Sequence, residues 1–168
     1  MKTNLTLTCL LNSYNKAISQ MLADKLELYY LNLQELMEYN LMNEEEILQT
    51  CGAEYLEGLK NKTIKDVSNY DNSVISIPHN YLANKNYVTK FKNRSIIIYL
   101  AMSEKIFDKK VAKISDEEEK KECEIQKTAF KEQDALCREV ADLVIDIDGV
   151  SEKKIVAKIV KSMEKYYV

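Results

Sequence analysis

Apolar residues recur along this chain with two periods, and the switches between those periods mark out its elements. Residues 3–11 alternate polar and apolar before turning wholly apolar, the pattern of a strand entering a core. Residues 15–26 place Ile18, Met21, Leu22 and Leu26 on one helical face. A short tyrosine-rich strand is predicted over 28–33, then brief helices over 33–39 and 43–51. Asn43, with Glu46 three residues on, predicts a capping box for the second of these. Helical spacing returns over 54–67. Residues 73–77 read as a compact strand stopped by Pro78, and residues 81–91 as a helix.

The stretch 94–101 is a nearly continuous Ile/Tyr/Leu run, as in a strand buried on both faces. Ser103 caps a predicted helix reaching about residue 111. Ser115 with Glu118 opens a long one running to about residue 141. A last strand over 143–147 precedes a terminal helix over 151–166, with Ile155, Val156, Ile159, Val160 and Met163 inward. Strands alternating with helices predict an α/β fold: a five-stranded parallel sheet with right-handed crossovers in three α/β/α layers. No repeat or linker divides the chain, so residues 1–168 read as one domain.

Composition narrows the functional classes. A length of 168 residues, 46% hydrophobic and 30% charged, suits one globular domain with a sizeable core. The net charge of -3 offers no basic field for nucleic acid. The longest apolar runs are strand-length and too short to span a bilayer. The amino-terminal alternation also lacks the continuous apolar stretch of a secretory leader. The expectation is a cytoplasmic protein with neither nucleic acid nor membrane as partner. Cys9, Cys51, Cys123 and Cys137 show no paired spacing and, with the lone His79, predict no metal site. Cys9 and Cys137 read as small buried hydrophobes in a reducing compartment. The charge run 116–124 reads as a solvated helix face.

Two scarcities carry more weight. Glycine occurs three times, never before Gly52, and arginine only at Arg94 and Arg138. Phosphoryl-transfer sites rely on glycine for close backbone approach and on arginine for bidentate anion recognition.

The ending Leu136-Cys-Arg-Glu-Val-Ala-Asp-Leu-Val-Ile-Asp-Ile-Asp-Gly149 resembles the tail of the shikimate kinase family of P-loop phosphotransferases. So does Leu22-Ala-Asp-Lys-Leu-Glu-Leu-Tyr-Tyr-Leu-Asn-Leu-Gln-Glu-Leu-Met-Glu38, and the order of elements extends the resemblance over nearly the whole chain. The resemblance implies P-loop kinase topology and transfer of the γ-phosphate of ATP to the 3-hydroxyl of shikimate with magnesium. It also implies a phosphate loop at 9–16, a substrate region over the helices at 33–67, a glycine triplet at 78–80 and a short lid at about 108–115.

Each of these regions departs from the family pattern. The phosphate loop there reads Gly-x-x-Gly-x-Gly-Lys-Ser. Registered by the following helix, Cys9, Asn12 and Tyr14 stand at the glycines, Asn15 at the lysine and Lys16 at the serine. A one-residue shift puts Lys16 at the lysine position but Ala17 at the hydroxyl. Neither register restores a glycine, and forcing a side chain into a left-handed conformation costs about 1–2 kcal/mol. Lys16 is then either a residual phosphate contact or a solvated lysine in a helix's first turn. The family's Asp-x-Asp becomes Asn32 and Gln34, which bring no charge to magnesium and no base. Its substrate-binding arginines become Glu57 and Gln133, and Glu57 repels a carboxylate. The triplet becomes Pro78-His79-Asn80, with His79 the one group there able to do acid–base work, or else structural. The lid offers Lys109, Lys110 and Lys113 in place of arginine forks. Several lost contacts, each worth about 100-fold, remove catalysis.

The expected function is therefore a shikimate-kinase-like protein without kinase activity. It would serve as an interaction or regulatory module for a partner enzyme or a second copy, with no cofactor. The eleven tyrosines, including Tyr29, Tyr30, Tyr166 and Tyr167, suit contact surfaces and plain packing alike. Two alternatives stand beside it. One is a divergent kinase using ATP and magnesium through Asn15, Lys16 and the lid lysines. The other is a sensor of a nucleotide or shikimate-like acid.

Overall fold

A computed structural model describes residues 2–38 and 42–166. At its centre β1 (Asn4–Cys9) lies between β3 (Ser73–Ser76) and β4 (Ser95–Ala101), with β2 (Tyr29–Asn32) and β5 (Leu143–Asp146) at the edges. The order is β2-β3-β1-β4-β5, and every pair is parallel. Leu5 pairs with Val74 on one side and Ile96 on the other. β1 and β4 are buried along their whole length, which explains the unbroken apolar run at 96–101. The edge strands are only half covered, and Tyr29 is 71% exposed.

Parallel neighbours require crossovers, which the helices supply. α1 (Asn12–Leu26) joins β1 to β2. α2 (Leu33–Met37), α3 (Glu44–Cys51) and α4 (Ala53–Ser68) lead to β3, and α5 (Lys85–Arg94) to β4. α6 (Glu104–Val111), α7 (Glu117–Lys127) and α8 (Phe130–Val140) lead to β5, and α9 (Glu152–Met163) follows it. α1 packs with α9, while α5 and α8 lie against β4. Tyr99, Phe91 and Phe107 are the bulkiest fully buried side chains. Cys9 and Cys137 are buried as expected, and the Asn43–Glu46 capping box is present, with both bonds at 2.9 Å.

Several boundaries differ from the sequence expectation. The long helix predicted over 115–141 is two helices, broken at Thr128 and Ala129. There the Thr128 hydroxyl donates to the Ile125 carbonyl at 2.8 Å, and Phe130 turns inward against Phe107, ring centroids 5.4 Å apart. Asp116, not Ser115, caps α7 by accepting from the amides of Glu118 and Glu119 at 2.9 and 3.1 Å. The helix predicted over 81–91 becomes a 3-10 turn (His79–Ala83) and then α5, because Asn84 accepts from the Asn86 amide at 2.9 Å and starts a new helix. α1 begins three residues before the predicted start at 15, and β1 stops at Cys9 instead of reaching residue 11. The last helix ends at Met163. Tyr39, the predicted end of the helix from residue 33, and Tyr167 lie outside the described residues. No helix among those residues is long and apolar enough to cross a membrane.

Candidate functional site

In open parallel sheets, ligands bind outside the carboxyl ends of the strands. At that end of β1 the connection to α1 consists of Leu10 and Leu11 alone, only 2% and 3% exposed. Both leucines are drawn into the core, and the helix starts at once, with the Asn15 amide bonded to the Leu11 carbonyl at 3.0 Å. A wide loop whose amides could wrap a phosphate does not form.

Asn15 occupies the space behind this turn. Its side chain is part of a residue only 1% exposed, and Nδ2 lies 2.8 Å from Ser76 Oγ, 3.1 Å from the Leu7 carbonyl and 3.3 Å from the Ile77 carbonyl. The amide thus fastens α1 to the ends of β1 and β3. In front of it Lys16 Nζ is 2.6 Å from Glu35 Oε1, and that hydrogen bond raises the pKa of the lysine. Asn32 Oδ1 accepts from the Glu35 amide at 3.2 Å, capping α2, and Gln34 Nε2 donates to Glu38 at 2.9 Å. Asn12, Lys16, Asn32, Gln34 and Ser76 enclose a cavity of about 10 Å³. That is room for about one water molecule.

These residues do not fit a magnesium triphosphate. The positions that would face the metal are amides already bonded within the chain. Among the described residues no three His, Cys, Asp or Glu side chains cluster to hold a metal ion. Asn15 and the two leucines fill the β1–α1 turn with buried side chains.

The side of α1 that faces the α6–α7 connection, where the sequence reading places a lid, is more open, with a cavity of about 390 Å³ between its first turn, that connection and α9. Tyr14 is buried there with Lys110 Nζ 3.8 Å above its ring centroid. Burial, with lesser contributions from Cys9 and Glu152, pushes the Tyr14 phenol up to about 12. The Ser13 amide donates to Glu119 Oε1 at 3.2 Å, and Glu119 and Glu152 both line the cavity. The first turn of α1 therefore faces carboxylates.

Acids and tyrosines also meet among α3, α4, the 3-10 turn and α5. The Tyr87 hydroxyl donates to Glu57 Oε1, which accepts again from Asn61 Nδ2 at 2.9 Å, and Lys90 donates to Asn61 Oδ1 at 2.6 Å. Tyr81 donates to Glu44 Oε1 at 2.8 Å, and Lys60 pairs with Glu44 Oε2 at 2.7 Å. Burial first, then the adjoining carboxylates, pushes both phenols upward, so they stay neutral donors. His79 is 5% exposed, and burial lowers its pKa, opposed in part by the neighbouring Gln133 side chain. His79 Nδ1 and Gln133 Oε1 are both buried without a hydrogen-bond partner among the described residues.

Of the residues singled out from sequence, Asn12, Lys16 and Gln34 meet around the small cavity with Asn15 behind them. His79 lies with Gln133, Tyr14 faces the lid side, and Glu57 serves Tyr87. Sequence reasoning missed Ser76, Glu35 and Glu119. The Asn15–Ser76 and Ser13–Glu119 contacts span 61 and 106 residues, so no local spacing announces them.

The shikimate kinase family model matches residues 16–164, opening inside α1. No curated protein is matched. Solved structures of the same fold include shikimate kinase from Aquifex aeolicus vf5, at 19% identity over 98% of each chain with a TM-score of 0.76. That from Bacteroides thetaiotaomicron is 13% identical over 96% of this chain and 98% of its own, with a TM-score of 0.81. That from Acinetobacter baumannii, in complex with shikimate, is 16% identical over 99% and 95%, with a TM-score of 0.76. At such identities the likeness is one of fold.

Proposed function

This chain belongs to the shikimate kinase family, and from that premise we propose that it keeps the family's fold without its catalysis, as an interaction or regulatory module. The observation that carries the reading is the Asn15 amide seated on Leu7, Ser76 and Ile77, where a phosphate cradle would have to open. Phosphoryl transfer is almost entirely positioning and electrostatic stabilisation, so a closed cradle leaves little for the remaining residues to do. Three further features agree with it. Asn32 and Gln34 supply no carboxylate, Glu57 offers a negative charge to an acidic substrate, and Glu119 occupies the first turn of α1.

As a module, the protein presents exposed aromatics at Tyr29, Tyr55, Tyr70 and Tyr166. Tyrosine is a favoured interface residue because it pairs a large apolar face with a hydroxyl. The test is a coupled ADP-release assay with magnesium, ATP and shikimate. No turnover above background is expected, and a rate above about 1 per second, ordinary for an enzyme, would falsify the reading.

A further inference from the structure

We propose that the α6–α7 lid is latched onto α1 by the chain's own charges, so that it stays closed without any ligand. The lid is an internally braced hairpin. Lys127 pairs with Asp108 at 2.8 Å across its two arms, and Phe107 meets Phe130 edge-on at 5.4 Å behind them. Its tip, residues 112–116, is mostly exposed.

Two contacts bind this hairpin to α1. Lys110 sets its ammonium 3.8 Å from the centroid of the Tyr14 ring, and Glu119 accepts from the Ser13 amide at 3.2 Å. Their electrical senses are opposite and both are satisfied. A cation is drawn to the negative face of an aromatic ring, and an anion to the positive first turn of a helix. One contact comes from each arm of the hairpin, so together they oppose both tilting and lifting. Lys110, Glu119, Ser13 and Tyr14 all line the open cavity of about 390 Å³.

Glu119 thus takes the place at the start of α1 that an incoming anion would take, and Lys110 covers the flat face that an incoming ring would cover. Each contact, with its charged group half-exposed, biases closure by about two- to fivefold, and the pair by about tenfold.

Hydrogen exchange read by mass spectrometry tests the latch on the full chain. The variants are Glu119→Ala, Lys110→Met and the double substitution. Glu118→Ala serves as control, because it removes a like charge from the same first turn of α7 without the contact to α1. Exchange across residues 112–120 is expected to rise about threefold in each single variant and about tenfold in the double one. Amides of β4 should be unchanged, and Glu118→Ala should resemble the parent protein. The proposal is overturned if the double variant exchanges like the parent. It is overturned equally if Glu118→Ala opens the segment as much as Glu119→Ala, which would mean simple fraying of α7. Either result leaves the catalytic reading intact, because that reading depends on turnover.

Discussion

The side-chain amide of Asn15 donates to the Ser76 hydroxyl at 2.8 Å, joining the first helix to the end of a strand 61 residues away. Removing it takes a donor from the buried Ser76 hydroxyl and one of two donors from each of the Leu7 and Ile77 carbonyls, which keep the Ile77 amide and the Thr8 hydroxyl. Asn15→Ala is expected to lower stability by about 1–3 kcal/mol in urea unfolding. Asn15→Lys puts an ammonium at a position only 1% exposed. It should destabilise more than alanine and produce no ADP release. A loss under about 0.5 kcal/mol for Asn15→Ala, ordinary for a surface substitution, contradicts the plug.

His79 supplies a pH dependence. Burial holds its folded pKa below the ordinary value of 6.5. Above that value both folded and unfolded states are neutral and the full stability is present. As pH falls below it, the unfolded chain takes up the proton first, so stability declines until the folded pKa is passed. Urea midpoints at about pH 7.5 and 5.5 should therefore fall further for the parent protein than for His79→Asn. Equal falls in the two proteins contradict a buried neutral imidazole.

Tyr81 and Tyr87 lie 5.6 Å apart and each donates to a carboxylate, but the two bonds differ in worth. Glu44 is half-buried and also held by Lys60, whereas Glu57 is exposed. Tyr81→Phe should therefore cost about 1–2 kcal/mol and Tyr87→Phe about 1 kcal/mol or less. Differential scanning calorimetry of the pair checks the ranking, and the reverse order contradicts it.

The sheet was legible because its signal is local and repeated. An unbroken apolar run marks β4 as buried on both faces, and the structure buries it along its whole length. The missing glycines were equally plain, since absence needs no spacing. What fills their place was not. In sequence Asn15 stands at the phosphate-loop lysine in one register, and only the fold brings Ser76 to it. Lys16 offered a phosphate contact or a solvated side chain; the fold gives it Glu35, from the helix after the next strand. The break at Thr128 was hidden because helical periodicity carries across it. What decides the bend is burial of Phe130 against Phe107, while Ile125 is left 73% exposed.

The closed cradle is tested most directly by thermal unfolding with millimolar magnesium and ATP, against a control of matched ionic strength. A triphosphate refused by Leu10, Leu11 and Asn15 leaves the unfolding curve where the control puts it. Stabilisation approaching about 2.7 kcal/mol, the value for a ligand at 100 times its Kd, would contradict the closure of the cradle outright.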